Sequence, residues 1–258
     1  MTCIFCEKEN EAQSVEHIVP ESFGNKKYTM QKGKVCDDCN GKFSKFEGTA
    51  SANSIFVMER AKFGIETKKG KNVKGKVNAL AIEGDKNFRK RLITVKGLND
   101  ENFIDFDPST RIGKLKIMSF DKSEVATSKL LLKIGLESIY TSQRTQFNKY
   151  DFADLKGFLT AKNNINWPFL TTDFEVQKFN SVPKFIDKHL LKKNKCELKF
   201  AEINDDTLLF KFKYGAIAMI INLLNRNLDW IQVYLHNAPK AMLYPQHFRN
   251  KLFDKNNR

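Results

Sequence analysis

Two cysteine pairs, Cys3-Ile4-Phe5-Cys6 and Cys36-Asp37-Asp38-Cys39, enclose the stretch Ser14-Val15-Glu16-His17-Ile18-Val19-Pro20-Glu21-Ser22-Phe23-Gly24-Asn25, and the second pair runs straight into Asn40. Two residues between cysteines let both thiolates of a pair reach one ion. Two such pairs make a closed tetrahedral site, the usual arrangement of a structural zinc. The other use of four cysteines, a pair of disulfides, belongs to an oxidising compartment. Cys3, Cys6, Cys36 and Cys39 are therefore expected to hold Zn2+ and to fold the loop between them. The fifth cysteine, Cys196, stands in an alternating stretch and reads as a small buried hydrophobe.

Composition bounds what the rest can be. The chain has 258 residues, with 44 Lys and Arg against 30 Asp and Glu, a formal charge of +14. That length suits one large domain or two small ones. With 22 Phe it can bury a core, which excludes a disordered basic tail. No apolar run approaches the roughly 20 residues that cross a bilayer. The first residues lack the basic start and apolar stretch of a secretory signal, so a cytoplasmic location is expected. A positive surplus favours polyanionic partners but fits a plain solvated face as well.

Glu16 and His17 are adjacent in what reads as a short strand broken by Pro20. Neighbouring strand residues point to opposite faces. The two share a site only if the strand ends there or a metal draws them together. Inside a metal-stapled loop followed by Asn40, that pairing becomes chemically suggestive.

Glu-His-Ile-Val-Pro-Glu-Ser-Phe at 16–23, closed by Cys-Asp-Asp-Cys-Asn at 36–40 and preceded by Cys-x-x-Cys, resembles an HNH nuclease of the ββα-metal class, in its zinc-binding subgroup. The resemblance covers residues 1 to about 50. It implies that His17 is the general base activating a water and that Glu16 and Asn40 are ligands of a catalytic Mg2+ or Mn2+. The middle motif position, normally Asn, falls on Gln31, with Asn25 as an alternative donor. The residue types suit phosphodiester hydrolysis: a base for the water, and hard oxygen donors for a cation that offsets phosphate charge. Lys34, Lys42 and Lys45 are candidate phosphate contacts. Glu47, on the same helical face as Asn40 and Ser44, reads as a solvated helix residue or as a ligand or supporting residue of the metal.

Residues 41–47 read as the helix of the ββα unit, and 50–65 as a second helix ended by Gly64. Residues 68–76 form a Lys- and Gly-rich turn, available to a phosphate backbone or simply exposed. Strands are expected over 92–95 and 115–120, with a turn at 107–109, then helices over 123–140, 151–160 and 184–191. Strands follow at 196–201, 208–214, 216–222 and 230–235, with 216–221 apolar enough to be central. His189, His236 and His247 are too scattered to form a site.

The expected fold is α+β: an HNH module over 1–50 and a mixed domain over 51–258 that binds nucleic acid, a partner or a regulator. The leading function is a metal-dependent endonuclease acting on DNA, with RNA as another substrate class and a homodimer or partner protein as an associate. Restriction or phage defence is what the resemblance implies. The competing reading is a zinc-finger module that binds nucleic acid without cutting. A third is an effector whose nuclease waits for a ligand or protein.

Overall fold

The computed structural model describes residues 1–160, 166–181, 196–238 and 240–249. It separates into two compact units, one of residues 1–21, 25–48 and 124 onward, the other of residues 22–24 and 49–123. Helices and antiparallel sheets are mixed throughout, so the fold is α+β. The units run differently from a cut at residue 50, because the cysteine-rich motif shares its unit with the carboxy-terminal sheet.

The first unit is built around a helix that is apolar on nearly every side. Counting helices in chain order, α1 is Asp37–Ser51, α2 Ser54–Lys62 and α3 Glu124–Ser142. Leu130, Leu131, Leu132, Ile134, Leu136 and Ile139 of α3 are all buried. Such a helix needs cover all round. One side meets a six-stranded antiparallel sheet of β6 (Phe169–Thr171), β7 (Asn180–Ser181), β8 (Cys196–Asn204), β9 (Thr207–Tyr214), β10 (Ile217–Asn222) and β11 (Met242–Tyr244), in the order β11-β6-β10-β9-β8-β7. Gly135 permits the approach: a Cβ there would lie 2.7 Å from Leu223 and 3.0 Å from Phe210. The other side of α3 carries the amino-terminal module, where Thr141 meets the Met30 sulfur at 3.3 Å.

Helix α6 (Asp229–Asn237) covers the opposite sheet face, where Trp230, Ile231 and Tyr234 pack on Leu170, Leu209 and Ile220. With both faces covered, every residue of β10 is buried, as expected of a central strand. The short helices α4 (Arg144–Lys149) and α5 (Ala153–Thr160) follow α3. The expected strand at 230–235 is thus the middle of a helix. A six-residue stretch with one polar residue, Gln232, has no period long enough to separate the two.

In the second unit α2 packs on a three-stranded sheet of β1 (Lys74–Val77), β2 (Leu80–Gly84) and β3 (Ile93–Lys96), around Val57, Val73, Val77, Leu80 and Ile82. The single helix expected over 50–65 is two. Buried Asn53 breaks it, donating to the Ala50 and Ser123 carbonyls and accepting from the Lys122 and Ser123 amides. A hairpin of β4 (Phe103–Asp107) and β5 (Ile112–Leu115) completes the unit, its turn closed by the Asp107 carboxylate on Ser109 and Thr110. The strand expected at 115–120 ends at Leu115 instead. The helix expected at 184–191, and His189, lie outside the described residues. Among those described, no helix is long and apolar enough to cross a membrane.

Candidate active site

The two cysteine pairs converge. All four Sγ atoms lie within 4.8 Å of one another, with Cys6 and Cys36 at 3.6 Å. A zinc–sulfur bond of about 2.3 Å in a tetrahedron puts sulfurs a little under 4 Å apart, so the set fits Zn2+. Backbone amides help hold it: Cys36 N–H points at the Cys3 sulfur and Cys39 N–H at the Cys36 sulfur, each at 3.4 Å. Hydrogen bonding from Cys39 lowers the Cys3 thiol to about 4, and the same partnership pushes Cys39 up. No disulfide forms among the five cysteines, and Cys196 is buried.

Helix α1 starts at Asp37, earlier than the sequence suggested, so Cys39 and Asn40 sit in its first turn. Ahead of it, Glu16–Ile18 runs antiparallel to Tyr28–Met30: Ile18 N–H donates to Tyr28 at 3.1 Å, Met30 N–H to Glu16 at 2.8 Å, and His17 bridges Thr29. Ribbon and helix form the ββα arrangement that the resemblance implied. Asp37 ties the two together. Its carboxylate accepts from the Gln13 and Ser14 amides and the Ser14 hydroxyl, which holds it down at about 2. Nothing in the sequence reading had singled out Asp37.

His17 is half-buried, and its Nδ1 is buried without a hydrogen-bond partner among the described residues. Asn40 donates through Nδ2 to the Ser14 hydroxyl at 2.9 Å. Its amide oxygen is the hard donor of the pair. Lys34 stands in the loop before Cys36, and Lys42 and Lys45 are exposed on α1, with Lys42 paired to Asp38 at 2.8 Å.

The loop between the ribbon strands is pinned by Asn25, not Gln31. Asn25 is 1% exposed. It donates to the Val19 carbonyl at 2.6 Å and the Tyr28 carbonyl at 2.9 Å, and accepts from the Lys27 and Tyr28 amides. Gln31 is exposed in a turn, where its carbonyl accepts from Lys34 N–H. Asn25→Ala should therefore cost about 2 kcal/mol, since several buried groups lose partners. Gln31→Ala should stay within about 0.5 kcal/mol. Denaturant unfolding of both variants checks this, and equal losses would contradict it.

Glu16 turns to a partner far along the chain. Its carboxylate pairs with the ammonium of Lys133 on α3. The same ammonium lies 2.8 Å from Glu47 and 3.2 Å from Glu137, and donates to the His17 carbonyl at 2.6 Å. Lys133 and Glu137 are 0% exposed. Burial disfavours the Lys133 charge, but the carboxylates of Glu137, Glu47 and Glu16 outweigh it and hold the lysine well above its ordinary value. Burial raises Glu16 and raises Glu137 further. The available signal was a Lys and a Glu four apart on either side of the apolar Ile134-Gly135-Leu136 of α3. Lys133→Ala leaves three carboxylates facing one another in a dry place, so a loss of about 3–5 kcal/mol is expected. The double change Lys133→Met with Glu137→Leu should lose less. Denaturant midpoints decide, and a single-variant loss below about 1 kcal/mol would deny the cluster its structural role.

The local geometry is that of a ββα unit closed by a four-cysteine cluster that fits zinc, with the His17 imidazole orphaned at Nδ1. Residues 3–54 match the HNH endonuclease family model. The match supports nuclease activity at this end of the chain and nucleic acid as its partner. No curated protein and no solved structure matched the chain. Against the HNH pattern, the structure brings His17 and Asn40 onto the ribbon and the first helical turn, directs Glu16 to Lys133, and gives the loop-pinning amide to Asn25. The oxygen donors fit a hard cation in kind, a carboxylate and an amide, while Lys133 claims one Glu16 oxygen.

Proposed function

We propose that the chain is a metal-dependent HNH endonuclease that hydrolyses DNA phosphodiesters, with His17 as the general base. The observation that carries this reading is the buried His17 Nδ1 with no partner among the described residues, on a ribbon that Asp37 ties to the helix bearing Asn40. An orphaned buried nitrogen calls for a ligand, and an imidazole near neutrality can take a proton from a water held there. Glu16 and Asn40 would hold Mg2+ or Mn2+, which when bound offsets the charge gathering on the phosphate and the leaving oxygen. Asn25 keeps the ribbon loop in shape, so that the His17 backbone is fixed while its ring faces substrate. The His17 carbonyl is anchored by Lys133, which restrains the residue without using the ring. Lys34, Lys42 and Lys45 would meet neighbouring phosphates.

One observation favours a second reading, a zinc-stapled binder that does not cut: the Lys133 ammonium already neutralises Glu16. Supercoiled plasmid incubated with Mg2+ or Mn2+, with a chelator as control, separates the two. Metal-dependent nicking that disappears in His17→Ala supports the nuclease. A protein that binds but never nicks in any divalent metal supports the binder.

A further inference from the structure

Residues 66–96 carry ten Lys and Arg against three Asp and Glu, which is half of the molecule's +14. The fold of the second unit gathers most of that charge at one end of one small sheet. Register pairs Lys74 with Glu83 and Gly84 with Ile93, so the start of β1, the end of β2 and the start of β3 share an edge of the sheet. The loop preceding β1 and the loop joining β2 to β3 both leave from there. Lys69 and Lys71 lie in the first, and Lys86, Lys90 and Arg91 in the second, all exposed.

Both loops have defined shapes. In the first, Glu66 bridges Asn72, Thr67 N–H donates to Lys71 at 2.9 Å and Gly70 N–H to Thr67 at 2.9 Å, with Gly70 at φ +69. In the second, Asp85 accepts from the Asn87 and Arg89 amides and pairs with the Arg89 guanidinium at 2.9 Å, and Arg91 N–H donates to Lys62 at 2.7 Å. Gly84 N–H donates to Val73 at 2.8 Å, joining the roots of the two loops.

Two of the three acids of this region are already engaged: Glu83 with Lys74 and Lys96 at 3.4 and 3.5 Å, and Asp85 with Arg89. Lys69, Lys71, Lys76, Lys86, Lys90 and Arg91 have no acidic partner among the described residues. Lys76 stands on the outer sheet face, level with Ala81 and Lys96. A sheet end edged by hydrogen-bonded loops bearing cations without acidic partners suits a regular polyanion. Duplex DNA presents one charge per roughly 1.7 Å of axis.

We propose that this end of the β1–β3 sheet is a duplex-DNA-binding surface that grips the phosphate backbone without reading sequence. The assignment of DNA as the polyanion rests on the nuclease reading above.

The test is the salt dependence of binding, measured with full-length protein and a short fluorescent duplex in chelator, so that nothing is cut. Each phosphate contact contributes about 0.9 to the slope of log K against log salt. Replacing Lys69, Lys71, Lys86, Lys90 and Arg91 together by Ala should make the slope shallower by about 4 and weaken binding similarly for unrelated sequences. Replacing the four lysines by Arg should leave the slope intact. Unchanged melting shows that the variants fold. An unmoved slope overturns the proposal, as does tighter binding of an RNA of equal charge, or binding of phosphatidylserine vesicles in place of DNA. Hydrolysis of bis(p-nitrophenyl) phosphate reads the catalytic centre separately and should survive the five substitutions. DNA binding with the expected slope change but no diester hydrolysis in any divalent metal would sink the nuclease reading and keep this surface. Hydrolysis with an unmoved slope would do the reverse.

Discussion

Removing zinc should unfold the amino-terminal module. Purified protein is expected to contain about one zinc per chain, and none of its five cysteines should then react quickly with a thiol reagent: four would be held by the metal and Cys196 is buried. After chelation four should react. The effect is large because the module has little else to hold it. Its apolar interior is a small set around Phe5, Ile18, Val35 and Phe43, with Phe5 edge-on to Phe43 at 4.6 Å. Structural zinc contributes on the order of 10–16 kcal/mol in comparable small units. Cys3→Ser or Cys39→Ser should therefore lower the melting temperature by about 10 °C or more, given the few degrees per kcal/mol typical of this chain length. The collapse should reach α3, because zinc positions the Glu16 and Glu47 carboxylates that Lys133 needs. Four freely reactive thiols in protein that melts unchanged would remove the metal from the account.

The second large effect belongs to His17. Substitution by Ala should reduce Mg2+-dependent DNA cleavage by about 10²–10⁴-fold, the usual worth of a general base. Stability should barely move, since what anchors this residue is its backbone. The carbonyl receives Lys133 and the residue bridges Thr29, while Nδ1 makes no protein hydrogen bond. A structural histidine would behave in the opposite way, with stability falling and cleavage following it. Measuring melting temperature, DNA affinity and nicking rate on one preparation distinguishes these. Cleavage at the wild-type rate by His17→Ala would place the base elsewhere.

Residues close in sequence were the legible ones. The cysteine spacing announced a metal site because ligands two residues apart must face one ion. The periodicity of residues 123–140 gave α3 nearly to its ends. Reading failed where a partner was distant or a segment short. The run 230–235 is equally apolar as strand or helix, and the cover it gives to Leu170, Leu209 and Ile220 is what makes it a helix. Motif spacing pointed to Gln31 as the loop amide. Four hydrogen bonds made by a buried side chain give the task to Asn25.

By itself, the sequence determined that four thiolates meet and that a Glu-His pair lies inside the loop they close, since both depend only on short stretches of chain. Only the tertiary structure decided what Glu16 touches. An ammonium more than a hundred residues away has no local period to betray it, yet once buried it must find carboxylates, and burial magnifies that attraction.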